Sequence, residues 1–214
     1  MAGVSTKHQL RLEWFSARFG LLGKIRAEYE RLVAPLGKWV GSSGITPNAL
    51  TTISLILSIS AGVAYALRSP LVGAGSLVLC GAVDMLDGAV ARAMHKASRF
   101  GAVYDHVLDR YAEFFALAGI GLGGFSAWIW VIFCLFGMVM ASFTRAKAES
   151  VGGLKSCTVG IAERQEKLVI LLIGSVAQPF FAVSLMVAVI LVGLLSHITV
   201  IQRLHYTYVK TRGK

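Results

Sequence analysis

The feature that most constrains the fold of this chain is a series of apolar blocks, each about as long as a membrane span. A helix needs about 20 predominantly apolar residues to cross the hydrocarbon core of a bilayer. Hydrophobic residues make up 56% of the sequence and charged residues only 15%, against about 25% charged residues in an average soluble domain. Because most charged residues lie between the blocks, the sequence predicts an all-α membrane protein with one compact domain.

Proline, glycine and charged residues divide the apolar part of the chain into six predicted spans. The breaks include Pro47, Ser69-Pro70 and Pro179, and the predicted spans cover residues 49–67, 71–94, 100–124, 127–147, 166–176 and 181–204. The sequence therefore predicts a six-transmembrane-helix bundle formed by residues 46–205. Residues 206–214 are predicted to form a basic cytoplasmic tail.

The N-terminal segment, residues 1–45, has a different pattern. It interleaves apolar side chains such as Trp14 and Phe15 with basic ones such as Arg11 and Arg18. This pattern favours an amphipathic helix that lies in the membrane interface, with its basic side towards the lipid headgroups. An ordinary surface helix is the alternative.

The distribution of charge predicts how the spans are oriented. A net charge of +10 would point to nucleic acid in a soluble protein, but here Lys and Arg lie between the apolar blocks or at the chain ends. With the N-terminus inside, the outside loops near 68–70, 122–126 and 177–180 contain Arg68 as their one basic residue and no acidic residue. Positively charged loops stay on the cytoplasmic side. We therefore predict a multi-pass protein of the plasma membrane, with both termini and its polar chemistry at the cytoplasmic face and no nucleic-acid partner.

Four aspartates mark the most informative stretch of the sequence. Asp84 and Asp87 are three residues apart near the end of the second predicted span, and Asp105 and Asp109 are four apart near the start of the third. Each pair lies on one helical face at these spacings. Because the connector is short, we expect the two helices to be antiparallel neighbours whose carboxylates converge near the cytoplasmic surface.

This arrangement predicts a metal site. Four carboxylates in partly apolar surroundings require a counter-charge, which a bound divalent cation supplies. Oxygen ligands alone suit Mg²⁺, Mn²⁺ or Ca²⁺ and not zinc, and two such ions suit displacement at phosphorus. Gly88, directly after Asp87, would let a ligand approach the backbone. The alternative is a set of solvated carboxylates paired with nearby arginines.

From Asp84 to Asp109 the chain reads D-x-x-D-G-x-x-A-R, eight further residues, then G-x-x-x-D-x-x-x-D. By this signature it is identified as a member of the CDP-alcohol phosphotransferase family. The resemblance implies six spans, a polar cavity that faces the cytosol, and a homodimer. It also implies that an alcohol hydroxyl attacks the β-phosphorus of a CDP-lipid donor and that CMP leaves.

The resemblance also implies roles for single residues. Asp84, Asp87 and Asp105 are implied as ligands of two Mg²⁺ or Mn²⁺ ions, and Asp109 as both a ligand and the catalytic base that deprotonates the acceptor. CDP-lipid binding is implied for Asn48, Ala49, Leu50, Thr51, Gly88, Arg92 and Ser98. The segment from Thr46 to Thr51 also reads as a helix start, with Thr46 or Asn48 as its cap.

A second basic set bears on the acceptor. Three predicted helix ends carry Arg145 with Lys147, Arg164, and Arg203, and arginine suits forked binding of phosphate. These segments resemble the phosphatidylinositol-phosphate synthase branch and its archaeal relative, archaetidylinositol-phosphate synthase, which implies inositol 1-phosphate as acceptor and these four residues as its phosphate site. That branch has Lys-x-Arg-x-Glu where this chain has Arg145-Ala-Lys147-Ala-Glu149, so both cations stay candidates. Pairing with lipid phosphates is the alternative.

Other functions stay open at this point. Within the family, glycerol 3-phosphate is a second phosphorylated acceptor, and the lipid tails could be those of diacylglycerol or archaeol. A divalent-cation transporter would also place carboxylates in spans, but transport sites lie near the membrane midplane, often between repeated halves. The acidic residues here crowd the cytoplasmic ends of the predicted spans, and the sequence has no internal repeat. A membrane scaffold without chemistry would not require the four aspartates.

Overall fold

The computed structural model describes residues 35–37 and 39–212. This part of the chain contains six helices of 14 to 28 residues and no strand. The helices are α1 (Pro47–Ala66), α2 (Pro70–Ala93), α3 (Arg99–Leu122), α4 (Trp128–Ser150), α5 (Arg164–Ala177) and α6 (Ser184–Thr211). Each of them overlaps one of the six predicted apolar segments.

Two helix starts are capped by side chains that the sequence singles out. At α1, the Thr46 side chain accepts a hydrogen bond from the backbone N–H of Ala49 at 3.2 Å, with Pro47 in the first turn. At α3, the Ser98 side chain accepts one from the backbone N–H of Gly101 at 2.9 Å. Such caps satisfy donors that have no partner inside the helix. Thr46, and not Asn48, is therefore the cap of α1.

Four helices, α1, α2, α4 and α6, are long and apolar enough to cross a membrane. The chain is accordingly a multi-pass membrane protein. In contrast, α3 carries the charged residues Asp105, Asp109, Arg110 and Glu113. The 14 residues of α5 extend about 21 Å at about 1.5 Å per residue, less than the hydrocarbon thickness of about 30 Å. Six membrane spans remain a prediction.

The two helices that carry the aspartates pack against α1 and make little contact with each other. The two helices are thus held in place mainly through α1, and their carboxylates converge without close packing between the helices themselves. Glycines allow α1 and α3 to meet, since a Cβ atom on Gly62 would collide with the Phe115 carbonyl and one on Gly119 with the backbone of Gly62. Small residues let the backbones of membrane helices approach closely. As a result, a gap separates the acidic faces of α2 and α3.

The other half of the bundle is built on α6, which packs against α4 and α5. Tyr65 of α1 is fully buried, and its hydroxyl lies 2.7 Å from the hydroxyl of Ser175 on α5. This contact joins the two halves inside the apolar core. Many large apolar side chains on the outer surface are exposed, as expected of surfaces that face lipid, among them Ile56, Val72, Leu79, Ile132, Ile173 and Leu191.

The connection between α4 and α5, residues 151–163, is held against α6. Gln202 accepts a hydrogen bond from the backbone N–H of Ile161 at 2.9 Å, and Arg203 Nε donates one to the carbonyl of Val159 at 2.9 Å. These two contacts fix the chain just before α5 begins. They therefore determine where the first residue of α5 is placed.

The predicted amphipathic helix of residues 1–45 lies mostly outside the described residues. Within the described part, residues 39–42 are helical. Gly41 packs against Met94 at the end of α2, where a Cβ atom would come within 2.5 Å of the methionine side chain. At the other terminus, α6 continues to Thr211, so part of the predicted basic tail is helical.

Candidate active site

The four aspartates, which we call the acidic site (Asp84, Asp87, Asp105 and Asp109), come together across the gap between α2 and α3. Oxygen atoms of Asp84, Asp87 and Asp105 all lie within 4.8 Å of one another. Ligand atoms of Asp105, His106 and Asp109 form a second group of the same size. Asp87 and Asp109 are each only 8% exposed. The convergence that the spacing predicts is therefore present.

The start of α1 forms a third side of the acidic site. Thr51 Oγ1 donates a hydrogen bond to Asp87 Oδ2 at 2.7 Å, and both residues are buried. The side chain of Asn48 lies against the first turn of α3, where a Cβ atom on Gly101 would be 3.2 Å from Asn48 Oδ1. The segment whose resemblance implies cytidine contacts is therefore adjacent to the predicted metal ligands.

The other residues for which CDP-lipid binding is predicted differ in their surroundings. A Cβ atom on Gly88 would meet only Arg92 Nη1, at 3.4 Å, among the described residues. Glycine inside a helix costs about 1 kcal/mol relative to alanine, and packing among the described residues does not require it here. Ser98 caps α3, Leu50 is buried at 6% exposure, and Ala49 is exposed.

Arg164, the first residue of α5, provides positive charge to the acidic site. Its Nη1 atom lies 2.6 Å from Asp84 Oδ2 on α2 and 2.7 Å from Asp109 Oδ1 on α3. Arg110, next to Asp109 in sequence, is farther away, with Nη2 3.8 Å from Asp109 Oδ2. Among the described residues, Arg110 therefore pairs only weakly with Asp109. The close partner of the aspartates is Arg164, which comes from a helix distant in sequence.

A buried charged cluster lies one helical turn beyond Asp109. Glu113 follows Asp109 by four residues, and its Oε2 atom is 2.8 Å from Arg110 Nη1. Lys167, one turn after Arg164 on α5, is only 6% exposed. A cavity of about 100 Å³ connects the acidic site with Glu113 and Lys167 between apolar side chains. Glu113 and Lys167 are not among the predicted site residues. Their spacing would have indicated both, because Glu113 follows Asp109 by four residues and Lys167 follows Arg164 by three.

The other predicted phosphate-binding residues contact groups outside the acidic site. Arg145 Nε lies 3.1 Å from Glu149 Oε1. Arg203 is 7% exposed and donates to two backbone carbonyls, at 2.9 and 2.5 Å. The Lys147 ammonium group lies 5.5 Å from the centre of the Phe143 ring. Of these four residues, Arg164 is the one that contacts the aspartates directly among the described residues.

The acidic site fits a divalent cation. Three carboxylates from two helices present oxygens within 4.8 Å of one another, and Asp105 belongs to both groups of converging ligand atoms. Hard cations such as Mg²⁺ and Mn²⁺ take carboxylate oxygens as ligands. Buried carboxylates also need a positive partner to remain charged. The residues present therefore suit divalent-metal use.

Two similar proteins match most of the length of this chain. An archaetidylinositol phosphate synthase from Pyrococcus horikoshii is 39% identical over 186 residues, covering 86% of this chain and 95% of that protein. A phosphatidylinositol phosphate synthase from Mycobacteroides abscessus is 33% identical over 195 residues, covering 87% of each.

Two solved structures of one similar enzyme share the fold of this chain. The crystal structure of Mycobacterium tuberculosis phosphatidylinositol phosphate synthase with CDP-DAG bound is 29% identical, has a TM-score of 0.73, and the match covers 83% of this chain and 94% of that one. A structure of the same enzyme in complex with manganese and citrate also has a TM-score of 0.73, with 29% identity and coverage of 82% of this chain and 88% of that one. The sequence profile of the CDP-alcohol phosphatidyltransferases matches residues 44–209. Since that match includes the acidic site, helices α1 to α5 and nearly all of α6, the chain belongs to the CDP-alcohol phosphatidyltransferase family and is an enzyme of this class.

Proposed function

We propose that this enzyme transfers a phosphatidyl-type group from a CDP-linked lipid to inositol 1-phosphate and releases CMP. The observation that carries the proposal is the position of the acidic site. It lies between the start of α1, which carries Asn48 and Thr51, and Arg164 of α5. A nucleotide diphosphate could therefore bind on one side of the carboxylates and a phosphorylated acceptor on the other.

The relatives support the same reaction. Those in Pyrococcus horikoshii and Mycobacteroides abscessus are synthases of inositol phosphate lipids, and the Mycobacterium tuberculosis relative was solved with CDP-DAG bound. The donor in our proposal is accordingly a CDP-lipid with diacylglycerol or archaeol tails. The CDP part would contact Asn48, Ala49, Leu50, Thr51, Gly88, Arg92 and Ser98.

The chemistry requires a base and a stabilised leaving group. Two Mg²⁺ or Mn²⁺ ions, held by the acidic site, would supply positive charge where it develops on the pyrophosphate. An alcohol is ionised only at very high pH, so a base at hydrogen-bond distance assists its attack. In our proposal Asp109 takes the proton of the acceptor hydroxyl. The hydroxyl oxygen bonds to the β-phosphorus, the bond from that phosphorus to the CMP oxygen breaks, and CMP leaves.

The basic set is proposed to hold the phosphate of the acceptor. Arg164 lies next to Asp109, so a phosphate bound by this arginine would place the acceptor hydroxyl near the base. Arg145, Lys147 and Arg203 would complete this site from α4 and α6. Glycerol 3-phosphate carries the same charged group and is the second acceptor to test.

The membrane arrangement follows from the same site. We propose that α3 and α5 also belong to the membrane domain, residues 46–205, which gives six spans. The acidic site and both termini then face the cytoplasm at the plasma membrane. A homodimer is proposed from the family resemblance.

A CMP-release assay tests this function. The purified enzyme, with CDP-diacylglycerol or CDP-archaeol and Mg²⁺ or Mn²⁺, is given inositol 1-phosphate, glycerol 3-phosphate, free inositol or serine. We expect release with inositol 1-phosphate and loss of activity with EDTA. Release with glycerol 3-phosphate alone would replace the proposed acceptor. Metal flux into proteoliposomes without CMP release would contradict the enzymatic function altogether.

A variant tests the acceptor site separately. Arg145→Gln should raise the KM for inositol 1-phosphate and leave the KM for the CDP-lipid unchanged. Arg68→Gln is the matched control, because it removes the same charge from the connection between α1 and α2, in the predicted outside loop. Equal KM values in both variants would show that Arg145 does not bind the acceptor.

A further inference from the structure

We propose that Arg164 competes with the divalent cation for the acidic site, and that the phosphate of the acceptor strengthens cation binding by drawing Arg164 away. The second half of this proposal rests on the proposed function, because it assigns Arg164 to the acceptor. The first half depends only on the contacts of Arg164. Together they give this arginine a role in the order in which metal and acceptor bind.

The competition follows from geometry. One nitrogen of Arg164, Nη1, lies 2.6 Å from Asp84 Oδ2 and 2.7 Å from Asp109 Oδ1. These two carboxylates come from different helices and belong to the two groups of ligand atoms that fit a metal ion. A cation bound by the same oxygens would lie very close to the guanidinium group and would be repelled by it. Metal binding and the Arg164 bridge therefore oppose each other.

The side chain of Arg164 can leave while its backbone stays in place. The segment just before α5 is fixed to α6 by the hydrogen bonds of Gln202 with Ile161 and of Arg203 with Val159. The Arg164 side chain is 31% exposed and borders the cavity beside the acidic site, so it has space into which it can turn. Rotation of this long side chain can thus move the charge from the carboxylates to a phosphate without moving α5.

An anion is the partner that would draw Arg164 away. Guanidinium groups bind phosphate through two parallel hydrogen bonds, which offset the loss of the contacts to the aspartates. Arg203 also lies near the start of α5, since it donates a hydrogen bond to the carbonyl of Val159 in the preceding segment. A phosphate bound there would remove a competitor from the acidic site. By thermodynamic linkage, the cation would strengthen phosphate binding to the same extent.

Manganese binding measures this competition without relying on turnover. Free Mn²⁺ is quantified by electron paramagnetic resonance during titration of the purified full-length protein, with and without inorganic phosphate. In Arg164→Gln we expect the Kd for Mn²⁺ to fall about tenfold, within the range usual for coupled sites. Phosphate should lower the Kd of the unmodified protein and have a much smaller effect on Arg164→Gln.

Arg145→Gln is the matched control, because it removes one positive charge from the same end of the bundle and breaks an ion pair with Glu149 instead of one with an aspartate. A similar fall of the Kd in Arg145→Gln would overturn the competition, because the effect would then be one of net charge. A higher Kd in Arg164→Gln would also overturn it, because Arg164 would then hold the carboxylates in place for the metal.

Arg164→Lys protects the test against misfolding, since it keeps the charge but not the forked head group. Because lysine still repels the cation, its Kd should stay nearer to that of the unmodified protein than to that of Arg164→Gln, and a fall as large as that in Arg164→Gln would contradict the proposal. The proposed function can be refuted independently of the competition. If inositol 1-phosphate is not an acceptor in the CMP-release assay but Arg164→Gln still binds Mn²⁺ more tightly, the competition stands and the assignment of the acceptor does not.

Discussion

A single hydroxyl group connects two parts of the site that resemblance treats separately. Thr51 belongs to the segment whose resemblance implies nucleotide contacts, yet its side chain donates a hydrogen bond to Asp87 in the acidic site. Buried carboxylates are costly unless they are hydrogen-bonded or paired, and groups that bond a metal ligand also fix its orientation. Thr51 therefore orients a predicted metal ligand from the first turns of α1.

At this scale the role of Asp109 can be tested by the isosteric change Asp109→Asn. The amide cannot accept the proton of the acceptor, so we expect kcat to fall by about 10²- to 10⁴-fold, the usual contribution of a positioned base. Asp84, Asp87 and Asp105 remain available as ligands, so Mn²⁺ binding should be largely preserved. The measurements are the rate of CMP release and the Kd for Mn²⁺. Turnover comparable to that of the unmodified enzyme would show that Asp109 is not the base.

Spacing along the chain predicted which aspartates would meet, but it did not predict their close partner. Asp84 and Asp87, and Asp105 and Asp109, are pairs on a helix, so their common faces follow from the helical period. Arg164 comes from another helix, 80 residues after Asp84. Local periodicity contains no information about such a contact, which depends on how the helices pack.

Among the helices, α1 has the most consequence for the site, because it is the common packing partner of α2 and α3. Because α2 and α3 both pack against α1, the position of α1 sets the distance between them. That distance leaves a gap between their carboxylates. The approach of α1 to α3 relies on Gly62 and Gly119, which are in backbone contact. The geometry of the site thus depends on residues that carry no functional group.

Gly119→Leu should separate α1 from α3 and disturb the site. Overpacking of a tight contact costs about 1–3 kcal/mol or more, so we expect a lower Tm together with weaker Mn²⁺ binding. Gly75→Leu is the matched control, because a Cβ atom at exposed Gly75 on α2 meets nothing within 4 Å. If both variants had the same Tm and Mn²⁺ affinity as the unmodified protein, the Gly62–Gly119 contact would not determine the spacing of these helices.

The ends of the helices were more predictable than their arrangement. Thr46 with Pro47 and Ser98 are local signals for a helix start, and the observed starts of α1 and α3 follow them. In contrast, the short connector predicted that α2 and α3 are neighbours, but not that both would pack mainly against α1, as they do through contacts such as Gly62–Gly119.

For the molecule as a whole, four helices establish a multi-pass membrane protein, and the charge distribution predicts its orientation. The acidic site lies at the end of the bundle where α2 ends and α3 begins. This is the end that the basic residues assign to the cytoplasm. The CDP-lipid and the soluble acceptor would then meet at the same membrane face.

Cysteine labelling in cells tests this orientation. The native cysteines Cys80, Cys134 and Cys157 are buried, so new cysteines at exposed positions can be compared. Ala127→Cys, before α4, should react with an impermeant maleimide in intact cells, whereas Lys155→Cys, between α4 and α5, should react only after permeabilisation. The reverse pattern, or labelling of both in intact cells, would contradict the predicted topology.

The shortness of α5 has a consequence for the surrounding lipid. Its outward face, with Val169, Ile173 and Val176, is apolar and exposed, but the helix is about 9 Å shorter than the hydrocarbon layer is thick. Such hydrophobic mismatch is relieved when the neighbouring acyl chains compress. With α5 in the membrane, as proposed, the surrounding lipid layer should be thinnest beside this helix, whose first residue contacts the carboxylates of the acidic site.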